Sequence, residues 1–330
     1  MPGALEGLRI LDLTRLLPGA MATQWLAEFG AEVIKVEQPV IGDGARASYT
    51  ALFEQTNQGK KSVEIDLKSG QESFFNLVRS ADVLIEGFRP GVMERLGLGF
   101  DVLRDLNPRL IYVALTGYGS DGPHALLAGH DVNYLAMSGV LDLIRAESGE
   151  PVIPGVQLAD LAGGSMQAVL GILLALEARH RTGRGQRVDI SMTEGSMALS
   201  VVARSQGPVE LLSGRYACYH VYAAAEKSFV AVGALEAKFW ANLCRELGCL
   251  ELVEKHYESD QGRVIAALEK IFVTATAEEW FERIGAKDCC VTPVRTAAHG
   301  AAPLVPRLSE TPGRAGGPAP RLGEHNEELL

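Results

Sequence analysis

Two segments whose key residues are thirty positions apart hold side chains that could move a proton between the faces of a carbon atom. His130 lies in Ala128–Tyr134, and Asp160 lies in Val156–Gly164. An imidazole and a carboxylate on opposite sides of one carbon can remove a proton from one face and return it to the other. The pattern therefore indicates an enzyme that inverts a carbon acid. If His130 is only structural, Asp160 alone indicates a different reaction on the same kind of substrate.

The neighbours of His130 favour a functional role, although a lone histidine is usually structural or exposed. Gly129 precedes it and permits close approach of the backbone to a ligand. Asp131 follows it, and the backbone N–H of Asp131 could point at the same site. Both the functional and the structural interpretation stay open from the residues alone.

Asp160 is expected at the start of a long helix, where aspartate is a good N-cap. The helix dipole would also favour its charged form. Gly163 and Gly164 in the first turn are poor helix formers, so we expect another group to lie against that turn. The same features suit a carboxylate that is aimed at a bound acyl group.

Length and charge limit the class of protein. At 330 residues the chain exceeds the size at which single cores stop growing, which favours two domains. Hydrophobic residues at 47% and charged residues at 22% are ordinary for a soluble globular protein. A net charge of -10 without a long basic run argues against nucleic acid as a partner. A local basic patch for an anionic small molecule remains open.

The N-terminus and the cysteines give further exclusions. Charged residues near the N-terminus do not fit a secretory signal, and the apolar stretch Ala168–Leu176 is too short to span a bilayer. We therefore expect a cytoplasmic protein without a membrane partner, with an organelle lumen left open. Five cysteines without framework spacing argue against a disulfide scaffold, and no His/Cys set has zinc spacing. No metal site is expected.

Alternating strand and helix patterns predict an α/β fold with a Rossmann-like parallel sheet over the first 120 residues. The predicted strands are 8–13, 31–37, 62–67, 81–85, 110–115 and 187–192, and the predicted helices are 21–29, 70–80, 100–106 and 160–180. After about residue 200, a hairpin (216–222 and 228–232) and helices at 238–247 and 261–272 predict a smaller second domain. The composition of 296–324, rich in Pro, Gly and Ala, predicts a linker or a mobile tail.

The Gly-rich segment Gly117–Gly122 matches GxGxxG after a predicted strand. A dinucleotide-binding fingerprint opens a helix at once, whereas Pro123 follows here and no helix pattern comes next. A turn with several positive-φ glycines is therefore favoured over a nicotinamide or flavin site.

Basic residues cluster beside two predicted strands, at 57–61 with Lys68 and at Arg89 with Arg95. Ligands of open α/β sheets bind at the carboxyl ends of strands, and Lys and Arg suit a phosphate-bearing ligand there. The alternative is that these are solvated surface charges.

Five segments together resemble the class III CoA-transferase (CaiB/BaiF) superfamily, most closely its α-methylacyl-CoA racemase branch. They are 7–13, 30–37, 82–92, 182–186 and 320–325. The resemblance implies a large Rossmann-like CoA-binding domain of residues 1–200 joined by 310–330, with a small α+β domain and linkers in 201–309. It also implies a homodimer of two interlocked rings. The C-terminal segment would then be an ordered return to the large domain, although its composition predicts a linker or a mobile tail.

The resemblance assigns roles residue by residue. Asp160 matches the aspartate that carries the acyl group in the transferases, and His130 matches the histidine of the racemase GHD-x-NY segment. Glu236 matches the racemase residue that supports this histidine from the small domain. CoA or substrate contacts are implied near Ile65, Asp66, Leu67, Lys68, Gly87, Phe88, Arg89, Arg95, Gly129, Asn133 and Tyr134. Gln38 departs from the family, because racemases often carry an arginine there, and this puts contacts with the CoA nucleotide in doubt.

The expected reaction is epimerisation of the α-carbon of a 2-methyl-branched acyl-CoA through an enolate. His130 and Asp160 would be the two bases, and the backbone N–H of Asp131 would stabilise the enolate oxygen. Coenzyme A would enter as part of the substrate, and no tightly bound cofactor is expected. Two alternatives stay open: CoA transfer to a free carboxylic acid with Asp160 as nucleophile, and a CoA-binding protein without catalysis.

Overall fold

The chain divides into two compact units in the computed structural model, which describes residues 2–146, 148–207, 210–297 and 303–330. The first unit is Met1–Val201 with Ala301–Leu330, and the second is Val202–Gly300. The boundaries expected from the sequence, near residues 200 and 310, lie close to these divisions.

A parallel sheet forms the centre of the first unit, as the strand–helix alternation predicted. Its described strands are β1 Arg9–Asp12, β2 Glu32–Glu37, β3 Lys61–Glu64, β4 Val83–Glu86, β5 Ile111–Thr116 and β6 Arg187–Ser191. Every neighbouring pair is parallel. β4 is buried along its whole length because helices cover both faces, which is why it reads as a continuous apolar run rather than an alternating one.

Helices pack on both faces of this sheet. The helices of the first unit are α1 Leu17–Glu28, α2 Ala45–Ser48, α3 Thr50–Thr56, α4 Gln71–Arg79, α5 Val92–Arg95, α6 Phe100–Leu106, α7 Asp131–Ser138, α8 Val140–Leu143, α9 Met166–Thr182, α10 Met192–Leu199 and, near the C-terminus, α15 Asn326–Leu329. Helix α11, Val201–Gln206, begins at the boundary and belongs mostly to the second unit. Leu26, Leu135 and Ile172 belong to the core on one face, and Phe74 and Leu103 to the core on the other. A π-helical turn, Ala159–Ser165, leads into α9.

The strand order is β3-β2-β1-β4-β5-β6. The order reverses between β1 and β4, where the chain crosses from one half of the sheet to the other. Open α/β sheets bind ligands in the crevice outside the carboxyl ends of the strands at such a switch point. The loops that follow β1, β4 and β5 are therefore the expected walls of a site.

α1 begins earlier than the sequence pattern predicted. The predicted helix begins at residue 21, but the observed helix begins at Leu17 and includes Pro18 in its first turn. Proline is tolerated in the first turn because the N–H it lacks would have no partner inside the helix.

The C-terminal segment is ordered against the first unit, so the composition-based expectation of a mobile tail is wrong for the part that is described. Arg314 donates its backbone N–H to Glu28 O at 2.8 Å, and His325 donates to Ser62 O at 2.9 Å. The family resemblance predicted this return correctly. Residues 298–302 of the same stretch lie outside the described residues.

The second unit has its own sheet and core. Its described strands are β7 Tyr219–Ala223, β8 Phe229–Gly233 and β9 Val291–Pro293, and its helices are α12 Ala237–Glu246, α13 Gln261–Phe272 and α14 Ala277–Ile284. The strands pair antiparallel in the order β7-β8-β9, so the predicted hairpin is confirmed. Trp240, Phe272 and Trp280 pack in its core.

One helical stretch among the described residues, Ala159–Thr182, is long and apolar enough to cross a membrane, with a mean hydropathy of 1.5. Core helices have the same length and composition, and Ala168, Ile172 and Ala175 of this stretch are buried in the core of the first unit. The stretch is therefore weak evidence for a membrane span.

Candidate active site

A cavity of about 510 Å³ lies at the carboxyl ends of β1, β4 and β5, at the switch point of the sheet. The loops after these three strands and the segment before α7 form its walls. The lining residues are Thr14, Arg15, Pro18, Gly19, Gly87, Phe88, Arg89, Pro90, Leu115, Thr116, Gly117, Tyr118, Ala125, Leu127, Ala128, Gly129, His130, Asn133, Tyr134 and Met192. The cavity therefore brings together seven of the residues that the sequence predicted, from the loop after β4 and from 129–134.

His130 is exposed on the cavity wall and is the N-cap residue of α7, a helix that the sequence pattern did not predict. Its backbone N–H donates to Asn133 Oδ1 at 3.0 Å, and its carbonyl accepts from Asn133 N–H at 2.8 Å. These bonds fix the main chain that carries the imidazole at the start of the helix. The spacing between His130 and Asn133 is that of a helix capping pair, which is the pattern that could have revealed α7.

Asp160 and Asp131 are joined by a hydrogen bond. Asp131 Oδ1 accepts from the backbone N–H of Asp160 at 2.9 Å. The pKa of Asp160 is raised to about 6, mainly by burial and also by the negative charge of Asp131, while the charge of His130 opposes the rise. A carboxyl group that titrates this close to neutrality can both take and give a proton, which suits acid–base chemistry.

The glycines after Asp160 have a different explanation from the one expected. The group that lies against Gly163 is α10, because a Cβ at Gly163 would stand 2.6 Å from Met192 O. A Cβ at Gly195 would likewise stand 2.0 Å from Gly163 O. Close packing of two helical turns, rather than a bound acyl group, therefore requires these glycines. Asp160 is also not the N-cap that was expected, since that position is Leu158 and Asp160 lies inside the first turn.

Tyr134 ties the Gly-rich turn to the helix start. Its hydroxyl donates to Gly129 O, and a Cβ at Gly117 would stand 2.3 Å from its ring. A Cβ at Gly129 would stand 2.6 Å from the Tyr118 hydroxyl, so the chain's own tyrosines occupy the space beside this glycine. The pKa of Tyr134 is raised to about 12, mainly by burial and also by the negative charge of Asp160, so Tyr134 keeps its proton at neutral pH.

The turn at Gly117–Gly122 has the conformation expected of a loop rather than a dinucleotide fingerprint. Gly119 and Gly122 have φ of 97° and 86°, which other residues rarely adopt. The next helix, α7, begins only at Asp131.

Arg15 is a residue that the sequence analysis missed. Arg15 and Arg89 are on the cavity wall, and no Asp or Glu is among its described lining residues. The Arg15 guanidinium stands over the Phe88 ring, 5.7 Å from its centroid. The wall is thus positively charged and suits an anionic ligand. Arg15 could have been found from its position directly after the first strand, by the same rule that selected Arg89.

A strained loop presents Arg15. Leu16 has φ of 61°, uncommon for a residue with a side chain, and its N–H donates to Asp43 Oδ1 at 3.2 Å. The Lys35 ammonium, fully buried, contacts Asp43 Oδ2 at 2.9 Å and donates to Thr14 O at 3.0 Å. The buried ion pair therefore holds the loop from both sides.

Nine predicted or discussed residues lie outside the described lining of this cavity: Asp131, Asp160, Ile65, Asp66, Leu67, Lys68, Arg95, Gln38 and Glu236. Asp131 directly follows His130 of the wall, and Asp160 is joined to Asp131 by a hydrogen bond. Ile65 is a core residue, so only its backbone is available to a ligand. Lys68 and Gln38 are exposed just beyond the carboxyl ends of β3 and β2, along the same edge of the sheet. Glu236 belongs to the second unit, at the N-cap of α12, so its role toward His130 stays a prediction.

Comparisons with known proteins show the family of this chain. The α-methylacyl-CoA racemase of Homo sapiens is 39% identical over 89% of this chain and 78% of its own length. The acetyl-CoA:oxalate CoA-transferase of Acetobacter aceti is 35% identical over 91% of this chain and 82% of its own length. The crystal structure of a CaiB/BaiF family protein from Brucella suis matches with a TM-score of 0.86 and 26% identity, over 100% of both chains. The family model of CoA-transferase family III matches residues 5–303, and the chain belongs to this family.

Proposed function

We propose that this enzyme epimerises the α-carbon of 2-methyl-branched acyl-CoA thioesters by two-base proton transfer. The observation that carries the proposal is the grouping of His130, Asp131 and Asp160. Asp131 binds the main chain of Asp160, and Asp160 has a pKa raised by burial to about 6 under the influence of both neighbours. The similarity to the human α-methylacyl-CoA racemase supports the same reaction.

Each base acts on one face of the α-carbon. In one direction His130 removes the α-proton and Asp160 returns a proton to the opposite face, and in the other direction the roles exchange. The intermediate is an enolate, whose oxygen needs hydrogen-bond donors where its charge develops. The backbone N–H of Asp131 is the candidate donor because it occupies the first position of α7, where no partner exists inside the helix.

The CoA part of the substrate would lie along the carboxyl edge of the sheet. Arg15 and Arg89 on the wall suit its phosphates, with Gly87 and Phe88 beside them. β3, which precedes Lys68, is three strand spacings from β4, or about 14 Å. An extended nucleotide-bearing ligand could span that distance and reach Lys68. Coenzyme A enters as part of the substrate, and the proposed proton transfer itself uses only the chain's side chains.

A homodimer in the cytoplasm belongs to the same proposal. Met166, Leu170 and Leu174 of α9 are each at least half exposed in the single chain. An apolar stripe of this kind on a long helix is typical of a surface that a partner covers. The family resemblance supports a second copy of this chain as the partner.

CoA transfer between acyl-CoA and a free acid is the second candidate. Asp160 is a carboxylate that could attack the thioester carbonyl and form an anhydride as the C–S bond breaks and the CoA thiolate leaves. The similarity to the transferase of Acetobacter aceti favours this alternative. It predicts little dependence on His130.

One incubation separates the two reactions. The protein is given a single enantiomer of a 2-methylacyl-CoA in deuterated water with a free carboxylic acid present. Mass spectrometry then follows α-deuterium and new acyl-CoA, and chiral chromatography follows optical purity. Deuterium uptake with loss of optical purity in the wild type supports the epimerase, and the loss of optical purity should be absent in His130→Ala. New acyl-CoA without α-exchange, absent in Asp160→Ala, would replace it with the transferase.

A further inference from the structure

Glu86 is a buried carboxylate beside the cavity that the proposed chemistry does not use. It is the last residue of β4 and is only 6% exposed. Its side chain turns away from the cavity, among the residues of the opposite face of the sheet, where Tyr112 is 1% exposed. A carboxylate in such a position must have hydrogen-bond donors, because an unpaired buried charge is strongly destabilising.

Glu86 has two donors, and one of them is the main chain of the cavity wall. Glu86 Oε2 accepts from the backbone N–H of Phe88 at 2.7 Å. Glu86 Oε1 accepts from the Tyr112 hydroxyl at the longer distance of 3.3 Å. The first bond closes the loop after β4 back onto the strand end.

That loop contributes four consecutive residues to the cavity wall, Gly87 to Pro90. Gly87 meets only Leu115 O at 3.6 Å in the space where a Cβ would stand, whereas the half-buried Phe88 side chain packs against the core on the other face of the sheet. The Phe88 ring in turn carries the Arg15 guanidinium of the loop after β1. The bond from Phe88 N–H to Glu86 therefore sets both the wall itself and the ring against which Arg15 rests.

We propose that Glu86 is a positioning residue, which fixes the Gly87–Pro90 loop for the CoA part of the substrate by accepting the Phe88 N–H. The inference rests on the proposed binding of acyl-CoA at this wall. The geometry of the acceptor, rather than its charge, carries the role. Burial raises the pKa of Glu86 to about 7, so a neutral carboxyl group is close in free energy to the charged one at this position.

Two conservative substitutions separate geometry from charge. Glu86→Gln removes the charge but keeps an oxygen for Phe88 N–H and offers its amide N–H to Tyr112. Glu86→Asp keeps the charge but withdraws the carboxylate by about 1.5 Å, one carbon–carbon bond, which breaks the bond to Phe88. Glu94→Gln is the matched control, because Glu94 is an exposed acid on α5 whose charge acts on Glu86 without a bond to the loop.

For each variant, KM and kcat are measured separately with a 2-methylacyl-CoA, and the dissociation constant of free CoA is measured by calorimetry. Glu86→Asp should raise KM and the CoA dissociation constant about tenfold and leave kcat within about twofold, because the lost bond supports binding and not the proton transfer. Glu86→Gln and Glu94→Gln should stay within about threefold of the wild type in both constants.

The proposal would be overturned if Glu86→Gln had the raised KM and CoA dissociation constant and Glu86→Asp behaved as the wild type. A fall in kcat alone in Glu86→Asp would also overturn it. Hydrogen exchange of the Phe88 amide in the unliganded wild-type protein gives a test that does not depend on turnover or on the folding of a variant. A protected amide supports the bond, and exchange at the rate of a free amide overturns it. A wild-type protein that protects this amide but neither binds CoA nor turns over acyl-CoA would instead sink the proposed function.

Discussion

Removing the charge of Asp131 should lower the pKa of Asp160 while Asp160 keeps its position. Asp131→Asn keeps an Oδ1 atom that can accept the Asp160 N–H, now 2.9 Å away, and removes the negative charge that raises the pKa of Asp160. Burial is the larger cause of the raised pKa, and the substitution leaves it unchanged. The pKa should therefore fall from about 6 but stay above the ordinary value of 3.8.

We expect a fall of about 1 in this pKa, which corresponds to about 1.4 kcal/mol of interaction between the two carboxylates. The assay is a carbon-13 NMR titration of the Asp160 carboxyl group, with the pH profile of α-deuterium exchange as the functional readout. The acid limb of that profile should move to lower pH by the same amount, because Asp160 must be deprotonated to act as a base.

Asp142→Asn is the matched control, since Asp142 is an exposed acid of the same unit that pairs with Arg145. It should change neither the titration nor the profile. An Asp160 pKa that stays at about 6 in Asp131→Asn would refute the claim that the two carboxylates interact. A rise would show that the lost hydrogen-bond geometry, and not the lost charge, dominates.

Three further predictions concern stability and are all measured by urea unfolding. Gly195→Ala should destabilise the protein by about 1–3 kcal/mol, because its Cβ would stand 2.0 Å from Gly163 O, whereas Gly155→Ala, in open space, should stay within about 0.5 kcal/mol. Leu16→Gly should stabilise it by about 1 kcal/mol by relieving a φ of 61°, and an equal or lower stability would argue against strain there. The pKa of Glu86 is raised from 4.5 to about 7, so its contribution to the free energy of unfolding should be full below pH 4.5 and should be lost as pH rises through 7. Glu86→Gln should therefore be more stable than the wild type at pH 8 but not at pH 4.

The sheet and the positions of the site loops could be predicted because they follow from local patterns. Alternation of apolar strands with helices gave the parallel sheet, and the rule that ligands bind at the carboxyl ends of strands selected the loop at Phe88 and Arg89. The same rule would have selected Arg15, but no residue pattern in that loop distinguished it from a surface charge.

Two of the failures have tertiary causes, and the third, at α7, is local. The first-turn glycines at Gly163 and Gly164 are required by α10, which lies about thirty residues further along the chain and was not predicted as a helix. The C-terminal segment is held by backbone bonds to Glu28 and Ser62, which composition cannot indicate. α7 is short, and its start depends on the pairing of His130 with Asn133 more than on apolar periodicity.

The central claim, that His130 and Asp160 serve opposite faces of one carbon, is tested most directly by α-deuterium exchange of the two separate enantiomers in the two single variants. A base that remains can still exchange the proton on its own face after its partner is removed. We predict that His130→Ala and Asp160→Ala both lose inversion and that each exchanges only one enantiomer, a different one in each variant. Inversion at the wild-type rate in His130→Ala, or exchange of the same enantiomer by both variants, would contradict the two-base account.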